Sequence, residues 1–171
     1  MQMTHYMELL AQNQPWNLII FMAIPVILAE TIAISELYIL FTRKFDGIIK
    51  KINSISSILI GIYFTFIFFY LFITVFIPLT ISGSWRGLVD IVAVTFYLLG
   101  VIPLVGVALI DMNILKKNQN KEEKLKLHSI FVAIFLIVAH IAMIFGMINP
   151  SVFDYQKNQI INESHDNMIM E

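Results

Sequence analysis

The feature that most constrains this chain is a set of four long apolar runs, at about 16–42, 53–79, 87–115 and 127–149, joined by short polar connections. Each reaches roughly the 20 residues a helix needs to cross the hydrocarbon of a bilayer. No water is available there to bond the backbone, so each segment must satisfy its own amides and carbonyls, as a helix does. The expected fold is therefore all-α: a four-helix transmembrane bundle over 16–150. A short segment (1–15) precedes it and a polar, flexible tail (151–171) follows it. The short connections leave room for one compact domain and none for a soluble enzyme domain.

Composition agrees. Only 13% of the 171 residues are charged and 58% are hydrophobic, with a mean hydropathy of +0.81. Globular proteins average about 25% charged residues. There is no cysteine, which excludes disulfides, thiolate metal ligands, c-type haem attachment and a cysteine nucleophile. The first run is too long and too acidic for a signal peptide, and no small-residue cleavage site follows it, so it is expected to remain in the mature protein.

The basic residues are unevenly placed. Arg43, Lys44, Lys50 and Lys51 lie between runs one and two. Lys116, Lys117, Lys121, Lys124 and Lys126 lie between runs three and four, whereas the second connection holds only Arg86 and the tail only Lys157. The positive-inside rule then puts both basic loops in the cytoplasm, with both termini and the 80–86 turn outside. The basic loops could also attract anionic lipid head groups, although a topology signal explains them adequately.

Ionisable groups inside the runs are the candidate functional residues, because each costs about 2.5–3.5 kcal/mol at the bilayer centre. Glu30 and Glu36 lie in run one. On a wheel of about 100° per residue they bound an arc holding Ala29 and Ala33, a small-xxx-small pair of the kind that packs helices closely, so this arc is expected to face the bundle. Pro25 leaves the Phe21 carbonyl without its helical donor and can bend the helix. Such a carbonyl beside an acid offers a place for a cation or water; a proline kept for shape alone is the plainer alternative. Run two is aromatic nearly all round and is expected to face lipid and contribute little chemistry. In run three Asp90 and Asp111 share an approximate stripe with Tyr97 and Gly100, bent by Pro103 and Gly106, and Arg86 is spaced to pair with Asp90. Run four carries His128 near its inner edge and His140 deep inside, with Ser129, Met143 and Met147 on the same face as His140.

Counting at 1.5 Å per residue places Glu30 and His140 within roughly 6–8 Å of one another in depth. Glu36, Asp111 and His128 form an inner cluster, and Asp90 marks the outer rim. Acids and imidazoles at successive levels are what a proton or cation path requires. The competing reading is a neutral, hydrogen-bonded Glu30–His140 pair that only fixes packing. A transition metal is a further possibility. Met1, Met3, His5 and Met7 alternate along the N-terminal segment, His140, Met143 and Met147 share a face, and thioether and imidazole ligands suit copper(I). His165, Met168 and Met170 in the tail echo the pattern. The plain alternatives are an interfacial helix at the start and a disordered end.

These residues support a permease-like component handling a proton or metal cation. Four helices are few for a carrier, so a homo-oligomer or a larger membrane complex is expected as its working form, in a lipid bilayer. The alternative is a b-type haem or quinone-linked respiratory subunit with His or Met axial ligands. His128 and His140 share one run, however, and bis-histidine ligation draws on two helices. An accessory or assembly subunit is the third reading. No phosphate loop, GxSxG, HExxH or dinucleotide fingerprint is present, and nothing points to nucleic acid.

The stretch NQPWNLIIFMAIPVILAETIAISEL, with AHIAMIFGM in the fourth run, resembles a family of small four-helix bacterial inner-membrane proteins labelled uncharacterised or permease. The resemblance covers about residues 1–150; the tail departs from it. It implies a bacterial inner-membrane setting and a tilt towards transport, and it carries no activity.

Overall fold

A computed structural model describes residues 3–115 and 120–150. The polar tail over 151–171, with His165, Met168 and Met170, lies outside the described residues, as do Met1, Lys116 and Lys117. Five helical stretches follow one another: α1 (His5–Ala11), α2 (Trp16–Thr42), α3 (Ile48–Ser82), α4 (Leu88–Asp111) and α5 (Lys121–Met147). The last four are long and apolar enough to cross a membrane.

Three prolines sit within these helices without ending them, and two of them, Pro25 and Pro78, are handled alike. In α2 a π-turn over Ile19–Ala23 precedes Pro25, and in α3 a π-turn over Phe72–Phe76 precedes Pro78. Each proline then falls in the first turn of the resumed α-helix, where its fixed φ suits the helix. That is why α3 runs on to Ser82 rather than closing at Pro78. It also starts earlier than its apolar run, at Ile48, so Lys50 and Asn53 are helical. In α4 the helix breaks at Gly100, whose N–H bonds the Tyr97 carbonyl at 3.2 Å, three residues before Pro103.

The helices pack in chain order, α2 on α3, α3 on α4 and α4 on α5, with a thinner seam where α5 returns to α2. Gly61 lets α3 lie directly on α4, because a Cβ there would stand 2.5 Å from the Ala108 Cβ and 3.0 Å from the Leu104 carbonyl oxygen. The core is aliphatic and aromatic, with Ile32, Ile60, Phe64, Leu104, Val107 and Phe135 buried. Every spanning helix also exposes large apolar side chains, Ile34, Phe66, Ile102 and Ile137 among them. An apolar belt on all sides suits hydrocarbon rather than water. The short helix α1 covers the end of the bundle that also holds the 83–87 turn and the end of α5. That is the terminal end; the opposite one, with the 43–47 connection and residues 112–115, is the basic end.

The face that α2 turns inward is Pro25, Ala29, Ile32, Ser35, Glu36 and Ile39, all buried. Ala33 is only half-buried and Glu30 is exposed. The inward arc is therefore centred on Ile32 and Glu36, not between the two acids. Glu30, two residues from Ile32, stands roughly half a turn round the helix from it and so falls at the rim.

A polar network, a cavity and a clasp

At the basic end the bundle encloses a polar network centred on His128, which is 1% exposed. Its Nδ1 is in direct contact with Glu36 Oε1, and its Nε2 lies 3.0 Å from Asp111 Oδ2 and 3.1 Å from Ser57 Oγ. Lys50 Nζ donates to Asp111 Oδ1 at 3.0 Å and to Asn53 Oδ1 at 3.2 Å. Asn53 Nδ2 donates to Ser35 Oγ at 2.9 Å and to the Ile32 carbonyl at 3.2 Å. All four spanning helices contribute.

The bonds fix one proton. Ser57 Oγ donates its hydrogen to the Asn53 carbonyl at 2.7 Å, so towards His128 it can only accept. Nε2 of His128 therefore carries a hydrogen, shared between Ser57 and Asp111. The remaining proton lies on the line between Nδ1 and Glu36: either an imidazolium donates to a carboxylate, or a carboxylic acid donates to a neutral ring. The two arrangements carry the same total charge. A proton can cross that line without creating net charge inside the membrane, where net charge is most costly.

Sequence depth alone grouped Glu36, Asp111 and His128, and these three are in contact. Lys50, Asn53, Ser57 and Ser35 were missed. The first three recur at helical spacing on one face of α3, a signal that is lost when Lys50 is assigned to the connection and the helix is started at Asn53. This helix thus adds three polar side chains to the buried network besides its apolar surface.

Midway along the bundle lies a cavity of about 220 Å³. Its walls include Phe21, Phe64, Phe96, Tyr97 and Phe135, with Glu30, His140 and Met143 also lining it. No hydrogen bond or ion pair joins Glu30 to His140. Both are exposed on the outside of the bundle while lining the cavity, so they stand at its mouth, one on α2 and one on α5. His140 Nδ1 donates to the Leu136 carbonyl at 2.6 Å, which leaves Nε2 as the free nitrogen of the ring. Glu30 has no hydrogen bond or ion pair among the described residues. Tyr97 Oη donates to the Phe21 carbonyl at 2.6 Å. The acceptor that Pro25 leaves open is therefore filled by a tyrosine rather than by a cation.

At the terminal end, fully buried Asp90 accepts from the His5 backbone N–H at 2.7 Å, lies 2.5 Å from His5 Nδ1, and accepts from the Arg86 backbone N–H at 3.2 Å. The Arg86 side chain does not take Asp90, contrary to the spacing argument. His5 already occupies both carboxylate oxygens, and the long guanidinium stays at the surface. There it meets Glu8 Oε2 at 2.6 Å and the Met3 carbonyl at 2.6 Å. Thr4 Oγ1 caps α1 and donates to the Gly146 carbonyl at 2.6 Å.

The remaining candidate metal ligands are dispersed. Met3 and Met147 are exposed, and Met7 packs against the core. Among the described residues no group of three His, Cys, Asp or Glu could hold a metal ion.

Together these features define an all-helical, multi-pass membrane protein with a polar network buried among its spanning helices. The chain belongs to DUF6803, a family of unknown function whose model matches residues 1–162. No curated protein and no solved structure matches it.

Proposed function

We propose that this protein handles protons inside a membrane, as a permease-like component acting through intramembrane carboxylate and imidazole groups. The observation that carries the reading is His128, buried with both ring nitrogens facing carboxyl groups. A proton moves across its Nδ1–Glu36 contact without a change in net charge. Glu30 with His140 forms the middle level, and Asp90 with His5 the outer one. Protons are favoured over metal cations because the network's carboxyl and imidazole groups bond one another instead of converging on a common point. In this reading the basic end faces the cytoplasm of a bacterial cell, following the positive-inside rule. Four helices enclose little space, so a homo-oligomer or a larger complex is the working form.

The test is proton flux into vesicles that hold the purified protein and a pH-sensitive dye, driven by a potassium diffusion potential. Uptake faster than in empty vesicles is expected, at least tenfold slower in Glu36→Gln and Asp111→Asn, and unchanged in Lys44→Ala. Both amide variants keep side-chain shape while removing the group that takes up a proton. Flux no greater than in empty vesicles, or equal in wild type and Glu36→Gln, would overturn the reading.

A further inference from the structure

We infer that the cavity at mid-membrane binds a lipid-soluble molecule of the quinol class, whose single planar ring carries two hydroxyl groups. This deepens the proton-handling reading and rests on it for its purpose, although binding itself can be measured separately. The first argument is polarity. Glu30 and His140 stand at the mouth, at a depth where an unpartnered polar group costs a few kcal/mol. Neither the carboxyl oxygens of Glu30 nor His140 Nε2 has a partner among the described residues. With Nδ1–H committed to the Leu136 carbonyl, the uncharged ring of His140 offers only the Nε2 lone pair, and the Glu30 carboxyl offers acceptor oxygens. Two acceptors at one mouth call for a ligand with two donors, which a quinol supplies and its oxidised quinone does not.

Size and shape restrict the ligand further. An apolar cavity of about 150 Å³ is enough for benzene, so about 220 Å³ takes one substituted ring and is too small for a tetrapyrrole. The rings of Phe21, Phe64, Phe96 and Phe135 offer faces and edges to a flat head group. Because both polar residues are exposed on the outside of a spanning bundle, the mouth opens sideways. A ring can then enter from the bilayer while its tail stays in lipid.

The experiment uses the full chain in lipid nanodiscs and a short-tailed benzoquinol kept reduced, partitioned by equilibrium dialysis against empty nanodiscs. Saturable binding at one site per chain is expected, above the partitioning into empty discs. It should weaken at least tenfold for the oxidised benzoquinone, in Glu30→Leu and in His140→Leu. Circular dichroism checks that these variants are folded, and Val26→Trp, which narrows the mouth while leaving Glu30 and His140 in place in the chain, should block binding too. Non-saturable uptake equal to that of empty discs, equal affinity for quinol and quinone, or affinity unchanged in Glu30→Leu and His140→Leu would each overturn the site. Glu36→Gln should bind quinol normally. Binding retained with no proton flux would remove the proton path and leave the site, and flux retained with no quinol binding would do the reverse.

Discussion

His128 and Tyr6 illustrate opposite ways of keeping a titratable group out of water. His128 is surrounded by partners, whereas Tyr6 is surrounded by rings and backbone. Tyr6 sits in α1, outside the spanning helices and 7% exposed. Its ring is 5.2 Å from that of Tyr97 and lies against Gly146, where a Cβ would come within 2.6 Å of it. Burial pushes its hydroxyl from the usual 10.0 up to about 12. Unfolded, Tyr6 loses its proton near pH 10; folded, it keeps the proton to about pH 12. Its contribution to stability is thus complete below about pH 10 and is lost as the pH rises to about 12, an interval worth about 2–3 kcal/mol. Tyr6→Phe keeps the packing and removes the titration. The difference in melting temperature between wild type and variant in detergent should therefore shift in the variant's favour across that interval. A constant difference would show that the ring is solvated. Burial of this kind was not legible in residues 1–15, because nothing local says that a short polar segment will fold back onto a glycine near residue 146. The contacts of His128 were largely legible, since depth along a helix can be counted, but its partners on α3 were hidden by a misplaced helix start.

Among the helices, close approach decides more than apolar content. Where α3 crosses α4 the fit depends on Gly61, and Ala108 is the side chain it admits. Gly61→Ala forces the pair apart and should destabilise the protein by about 1–3 kcal/mol, the usual cost of overpacking. Ala108→Gly in the same chain should recover most of that loss. Thermal aggregation in detergent reads both, and a double variant no better than Gly61→Ala alone would place the crossing elsewhere. Long apolar runs announced the helices themselves, and Pro25 announced an irregularity in the first of them. The π-turns before Pro25 and Pro78 were not legible, because apolar residues fill a widened turn as readily as an ordinary one. Nor was the inward face of α2, since an almost wholly apolar helix has no polar side to mark what points away from the core.

The assembled bundle has an asymmetric charge pattern that makes its direction in the membrane testable. The natural chain has no cysteine, so single cysteines report without interference. With the basic end in the cytoplasm, Ser84→Cys should react with an impermeant maleimide added to intact cells, and Asp46→Cys only after the membrane is opened. The reverse pattern would invert the topology and with it the direction of any proton movement. Four spanning helices in order were readable from hydropathy alone; the meeting of α1 with α4 and α5 was not, because it depends on Thr4 and His5 finding the Gly146 carbonyl and Asp90. That clasp has a consequence for traffic. With Tyr6 among the residues lining the cavity, α1 closes it towards the terminal end, and the mouth beside Glu30 and His140 opens onto lipid. Compounds that dissolve in the membrane should therefore reach the interior far sooner than equally small ones that stay in water.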